Sequence, residues 1–216
     1  MIHELAGWIN SIFVIAAYLM GSIPTAVWWG RRFHGVDVRD HGSKNAGATN
    51  TFRVLGKKAA IPVLLIDIIK GFVPVMVLPL LSPYDPGTIA YTNLQIASGL
   101  AAVIGHIFPA FADFRGGKGV ATLLGVILAL HPLAALGSVG LFLLVFLATR
   151  YVSLGSLIAA VAYPILVILI FQTPFVSLMF FSVVFAMIVF ITHIRNIERL
   201  LKKEENRITF NKKDNR

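Results

Sequence analysis

Three polar stretches of this chain hold the residue types that can handle an anion. Gly42 to Arg53 contains Ser43, Asn45, Gly47, Thr49, Asn50 and Arg53. Such a run exposes backbone amides and hydroxyls, and its arginine adds charge-assisted hydrogen bonds, so it reads as half of a phosphate site. Gly105 to Thr122 contains His106 and the run Gly116, Gly117, Lys118, Gly119. Glycines just before a helix leave free N–H groups at its positive end, and a lysine among them adds a full charge, which again suits phosphate. The spacing is not that of a Walker motif, and no strand precedes it. Thr192 to Leu200 contains His193 and Asn196, three apart on one expected helical face and so able to reach the same pocket. The turn Arg150 to Ser153 adds the Ser153 hydroxyl to the same group. His106 ends an apolar run, where a histidine that holds a neighbouring loop and a catalytic one are both open readings.

The remaining polar residues read more plainly. Arg31, Arg32, Lys57, Lys58, Arg195 and Arg199 read as anchors at a membrane surface. His3, His34 and His41 have no spacing that suggests a metal site. Asp67 and Lys70 are the one acid and one base lodged inside an apolar run, and their i,i+3 spacing lets them neutralise each other. The chain has no cysteine, which excludes disulfides, thiolate nucleophiles and cysteine-ligated metals.

The elements that must position these residues are membrane helices. Apolar residues make up 57% of the 216 residues and charged ones 13%, with a mean hydropathy of +0.80, too apolar for a soluble domain. The net charge of +9 would suggest nucleic acid in a soluble protein, but beside apolar spans it fits orientation and anionic headgroups, so no nucleic-acid partner is expected. Apolar runs cover about 5 to 29, 59 to 81, 92 to 111, 119 to 149, 152 to 171 and 174 to 194. The fourth is too long for one crossing, and His131-Pro132 at its middle predicts a turn, since proline removes an amide donor and biases the residue before it away from helix.

Charge decides between six crossings and seven. With that turn, 18 of the 19 lysines and arginines fall on one side of the membrane; without it, Arg150 and the tail change sides and the split is 9 against 9. The positive-inside rule favours the first. The expected fold is therefore all-α and polytopic, with seven transmembrane helices, the N-terminus outside and the C-terminus cytoplasmic. Residues 1–200 form a single transmembrane catalytic domain and 201–216 a charged cytoplasmic tail, frayed from Lys202 to Arg216. The segment 119–130 is short for a crossing, about 18 Å at the usual rise.

Taken together, Gly42 to Arg53, Gly105-His106 through Gly116-Gly117-Lys118-Gly119-Val120-Ala121-Thr122, and His193-Ile194-Arg195-Asn196-Ile197-Glu198-Arg199-Leu200 resemble one family, the bacterial acyl-phosphate:glycerol-3-phosphate acyltransferases (PlsY). The three motifs stand in the family's order along the whole chain. One departure is Lys44, where the family usually has glycine.

The resemblance implies a multi-pass enzyme of the bacterial inner membrane, working at the cytoplasmic face without a cofactor or metal. It would move a fatty acyl group from acyl phosphate, not from acyl-CoA or acyl carrier protein, to the 1-hydroxyl of glycerol 3-phosphate, giving lysophosphatidate and phosphate. It assigns phosphate holding to Ser43, Arg53 and Lys118, and places His193 and Asn196 at the family's last motif. The His-x4-Asp pair of soluble-type glycerolipid acyltransferases is absent, since Phe111 stands five residues after His106. The expected proton route is from the hydroxyl to the leaving phosphate while Lys118, Arg53 and the glycine-loop amides stabilise the charge. Whether His193 orients the acceptor or acts as base stays open.

Two rivals remain. An anion carrier built on Asp67 and Lys70 would need polar groups meeting at the bilayer midplane, whereas these motifs crowd one face. A CDP-alcohol phosphotransferase would need several aspartates at a helix end, and the spans hold only Asp67.

Overall fold

The computed structural model describes residues 2–209, with side chains described from Trp8 onward, so the His3 side chain and the tail residues 210–216 lie outside what is described. Among the described residues every regular element is helical. In chain order they are α1 (Ile2–Gly21), α2 (Thr25–His34), α3 (Ala48–Leu55), α4 (Lys57–Val77), α5 (Ile89–Ile107), α6 (Val120–Leu130), α7 (Pro132–Thr149), α8 (Val152–Ile165), α9 (Val176–Thr192) and α10 (Ile194–Leu201). A 3₁₀ turn covers Val38–Asp40, another follows α4 at Leu78–Leu81, and a π turn at Leu166–Ile170 prolongs α8.

Among the described residues four stretches are long and apolar enough to cross a membrane: Trp8–His34, Lys57–Leu81, Pro132–Thr149 and Val152–Ile170. The pair α9 and α10, bent by 63°, makes a fifth if counted as one span. Large apolar side chains on these helices face outward, among them Leu144, Leu147, Phe180 and Ile191. In water such a surface would be an aggregation liability; in lipid it is the solvated face.

The turn expected at His131-Pro132 is present, and Pro132 opens α7 where its missing amide is not needed. The first apolar run differs from expectation. It breaks at Ser22–Pro24 into α1 and α2, because Pro24 cannot donate into a continuing helix. Hydropathy alone hides this break, since Ala26 to Trp29 carry the apolar run past it.

Small residues let the helix backbones approach closely. A Cβ at Gly71 would stand 2.1 Å from the Thr122 carbonyl, and one at Gly125 2.0 Å from that of Ile68, so α4 and α6 meet backbone to backbone. Gly21 on α1 and Gly105 on α5 do the same for that pair. Between helices in lipid, where burial of apolar area drives little, this close contact is a main source of attraction. The larger core, with Leu123, Val126, Tyr163, Phe181 and Phe185, lies among α5, α6, α8 and α9.

Candidate active site

The loop before α3 is built by its own side chains. Asn50 is buried; its Oδ1 accepts from the Ser43 amide at 2.8 Å, and its Nδ2 donates to the carbonyls of Val38 at 2.7 Å and His41 at 3.1 Å. This one amide closes the loop on itself and fixes where Ser43 stands. Asp37 accepts from the Arg39 amide and guanidinium, and Arg39 also donates to the Ala112 carbonyl at 3.0 Å. The first motif is thereby fastened to the stretch that leads into the second. Burial alone would raise the Asp37 carboxyl, but Arg39 and Arg31 hold it at about 2, so this clamp is ionised at any physiological pH.

The glycine loop is folded back on the end of α5. Gly116 N donates to Ile107 O at 3.1 Å and Gly117 N to His106 O at 3.2 Å, and Gly119 caps α6 in the left-handed region at φ 78°. This carries Lys118 across to the last motif, where its ammonium donates to Asn196 Oδ1. Burial pushes Lys118 down to about 8, helped by the positive charges of Arg199 and Arg53 and opposed by Glu205.

His193 stands at the bend between α9 and α10, not within one continuous helix as its spacing to Asn196 suggests. Its Nδ1 lies 2.8 Å from the Val189 carbonyl. A carbonyl only accepts, so this contact places the proton on Nδ1 and leaves Nε2 of the neutral ring as an acceptor.

The sequence reading treats the chain as frayed from Lys202 and Arg199 as an anchor; through Thr209 the chain instead folds back over the site. Glu205 accepts from Asn196 Nδ2 at 2.7 Å, Ser153 Oγ at 2.9 Å and Arg199 Nε at 2.7 Å. Arg53 donates to the Asn206 carbonyl at 3.3 Å, Ile208 N to Arg150 O at 3.0 Å, and Arg207 lies over the Tyr151 ring. Burial acts to raise Glu205, but those three hydrogen bonds outweigh it and hold its carboxyl below the usual range. Its contribution is thus fully present at neutral pH and is lost only as pH falls through that lowered value. Glu205→Gln removes the charge from three donors, and we expect a loss of about 1–3 kcal/mol. Thermal unfolding in detergent checks this, with protease cutting after Lys202 or Lys203 rising in parallel.

These elements enclose one cavity of about 490 Å³. Its polar mouth holds Ser43, Arg53, Lys118, Ser153, His193 and Asn196; its apolar part is lined by Leu64, Ile68, Ile127, Val139, Phe142 and Phe185. A basic, hydrogen-bonding mouth thus opens into an apolar channel among the membrane helices.

A family model described as glycerol-3-phosphate acyltransferase matches residues 11–203. The chain belongs to that family. Curated relatives named glycerol-3-phosphate acyltransferase include one from Geobacter sulfurreducens, 45% identical over 96% of this chain and 98% of the relative. Another, from Fusobacterium nucleatum, is 43% identical over 92% and 97%. Crystal structures of PlsY, described as an integral membrane glycerol 3-phosphate acyltransferase, superpose with TM-scores of 0.81 in the glycerol 3-phosphate form and 0.80 in the lysophosphatidic acid form. Both are 38% identical and cover 93% of this chain, with 96% and 95% of theirs.

This acyltransferase brings most of the residues singled out in its sequence to the cavity. Ser43, Asn45, Gly47, Thr49, Asn50, Arg53, His106, Lys118, Gly119, Ser153, His193 and Asn196 all line it. Gly116 and Gly117 do not, being turned against the backbone of His106 and Ile107. The residue missed was Glu205, whose faint sequence signal is an acid in a tail dominated by bases.

Proposed function

We propose that this membrane glycerol-3-phosphate acyltransferase takes its acyl group from acyl phosphate and attaches it to the 1-hydroxyl of glycerol 3-phosphate, at the cytoplasmic face. The observation that carries this reading is the two-part cavity. Both substrates bear phosphate, which suits Arg53, Lys118 and the Ser43 loop, while a fatty chain suits the apolar part beneath them. Beneath the mouth, the walls from α4 and α7 include the exposed residues Leu64 and Leu143, which supports entry of a lipid-borne donor from the bilayer.

In the reaction the hydroxyl oxygen bonds to the acyl carbon, the acyl carbon–phosphate oxygen bond breaks, and the hydroxyl proton passes to the departing phosphate. Lys118 and Arg53 stabilise the charge gathering on that phosphate. His193, with Nδ1 engaged by Val189, presents an acceptor nitrogen that orients the hydroxyl. No side-chain nucleophile is required.

Purified protein in chelator-treated detergent buffer is expected to make lysophosphatidate from acyl phosphate with one phosphate released per turn, and to ignore acyl-CoA. Turnover with acyl-CoA in place of acyl phosphate would sink the donor assignment. His193→Ala is expected to raise KM for glycerol 3-phosphate and lower kcat by no more than about tenfold; a fall of 10²–10⁴ would make it a general base instead.

The topology follows the same reading: seven crossings, N-terminus outside, C-terminus inside, residues 1–200 as one catalytic domain with 201–216 as its tail. All the loops that build the mouth then share the cytoplasmic side, and α6, about 16 Å long, crosses with local thinning of the bilayer. Because the chain lacks cysteine, single substitutions report sidedness cleanly. On sealed right-side-out vesicles a membrane-impermeant maleimide should label Asp85→Cys directly and His41→Cys only after permeabilisation; the reverse order would overturn the orientation.

A further inference from the structure

Under the mouth of the cavity lies a buried polar row that the proposed chemistry does not use. Asp67 and Lys70 sit on α4 and are almost fully buried. Lys70 Nζ is 2.9 Å from Asp67 Oδ1 and donates to the Ile23 carbonyl at 2.8 Å, in the break between α1 and α2. On its other side Asp67 Oδ1 lies 3.7 Å from His106 Nδ1, which is also 3.1 Å from the Thr122 hydroxyl. The His106 ring then abuts the glycine loop: a Cβ at Gly117 would stand 2.3 Å from Nε2 and 2.8 Å from the Ala46 carbonyl. The next residue is Lys118.

A pair of charges inside lipid-embedded helices stabilises no better than well-packed apolar residues of the same size, because both must be stripped of water. An apolar pair could not orient an imidazole. Here the carboxylate faces a histidine whose ring and carbonyl together hold Gly117, and Gly117 in turn rests on Ala46 of the first motif. Thr122 on the first turn of α6 bonds the same ring, so the row touches both ends of the short segment that carries Lys118.

We infer that Asp67 and His106 are positioning residues for the acyl transfer: the Asp67 carboxylate, held by Lys70, acts electrostatically through its near oxygen on the His106 ring that Thr122 hydrogen-bonds, and the ring sets the height of the glycine loop so that Lys118 meets the transferring phosphate. This rests on the reading of Lys118 as the phosphate clamp. A loop displaced by about 1 Å costs rate far more than it costs binding, since the clamp is needed most where charge develops.

Two double variants separate positioning from mere pairing. D67L/K70M removes the charge and the oxygen together. D67N/K70M also removes the charge but leaves an amide oxygen facing His106. Both should unfold within a few degrees of the parent in detergent. D67L/K70M is expected to lose about 10–100-fold in kcat with KM for glycerol 3-phosphate within about threefold, while D67N/K70M keeps most of kcat. If D67L/K70M fails to fold, Thr122→Val, which deletes the other partner of the ring without changing its volume, is expected to lose at least about threefold in kcat at unchanged KM. Equal kcat in the two double variants, or an unaffected Thr122→Val, would overturn the inference. An unmodified protein inactive with acyl phosphate would instead sink the proposed function.

Discussion

Lys118→Ala is expected to lower kcat/KM by about 10³, with folded protein still recovered in normal amount. The magnitude follows from the role proposed for the ammonium: it is a full charge, largely stripped of water, that on this proposal meets the leaving phosphate, and removing a single preorganised donor at such a position costs about 10²–10³. Loss of ground-state phosphate binding adds to that. Retained turnover in protein that still unfolds at the parental temperature would end the clamp assignment.

The same group gives the activity an alkaline limit. Lys118 at about 8 is charged below that pH and neutral above it, so kcat/KM, which reports the free enzyme, should fall as pH rises through that value. In kcat the fall should come later, because a bound phosphate dianion holds the ammonium in its charged form. Lys118→Arg, whose guanidinium does not deprotonate in this range, should be slower but flat across it.

The parts of this molecule that the sequence makes legible are those whose cause is local. Pro132 stops one helix and starts the next within two residues, so the turn that brings α6 and α7 side by side can be read from the dipeptide. The positive charges of Lys118 and Arg53 are chemical properties that need no fold to be recognised, whereas the glycine run misleads: the amides of Gly116 and Gly117, expected free for an anion, are taken up by the Ile107 and His106 carbonyls. What the sequence hides is pairing at a distance. Glu205 meets Ser153 from 52 positions away and Arg53 reaches Asn206 from 153. Read alone, that tail is polar and charged enough to be solvated, and only its partners make it a wall of the site. The bend at His193 is hidden for the opposite reason: apolar periodicity runs through it, while the partners of α10, Asn196 and Arg199 with Glu205, lie on the folded-back tail. His106 shows both limits, since its motif marks it as important while its work depends on Asp67, Thr122 and Gly117 meeting it from three segments.

Gly116→Ala should be nearly as damaging as the loss of Lys118, though it touches no substrate. A methyl there would stand 1.9 Å from the His106 carbonyl and 2.7 Å from that of Ile107, both backbone atoms at the end of α5 that cannot step aside. The first of those carbonyls accepts the Gly117 amide and the second the Gly116 amide, so the clash falls on the two hydrogen bonds that fold the loop back. The loop must open, and Lys118 two residues on must leave Asn196. We expect about 10²-fold loss in kcat, as for any displacement of a clamp by an ångström or so, with a stability loss of about 1–3 kcal/mol from the two strained bonds. Gly119→Ala is the control. Its left-handed φ of 78° costs a side chain about 1–2 kcal/mol. The nearest atom to its Cβ is a flexible Val103 methyl at 3.3 Å, so the loop path is kept and kcat should stay within about threefold. Equal activity of the two variants, measured as turnover per folded molecule, would mean that the fold-back at Gly116 does not set the position of Lys118.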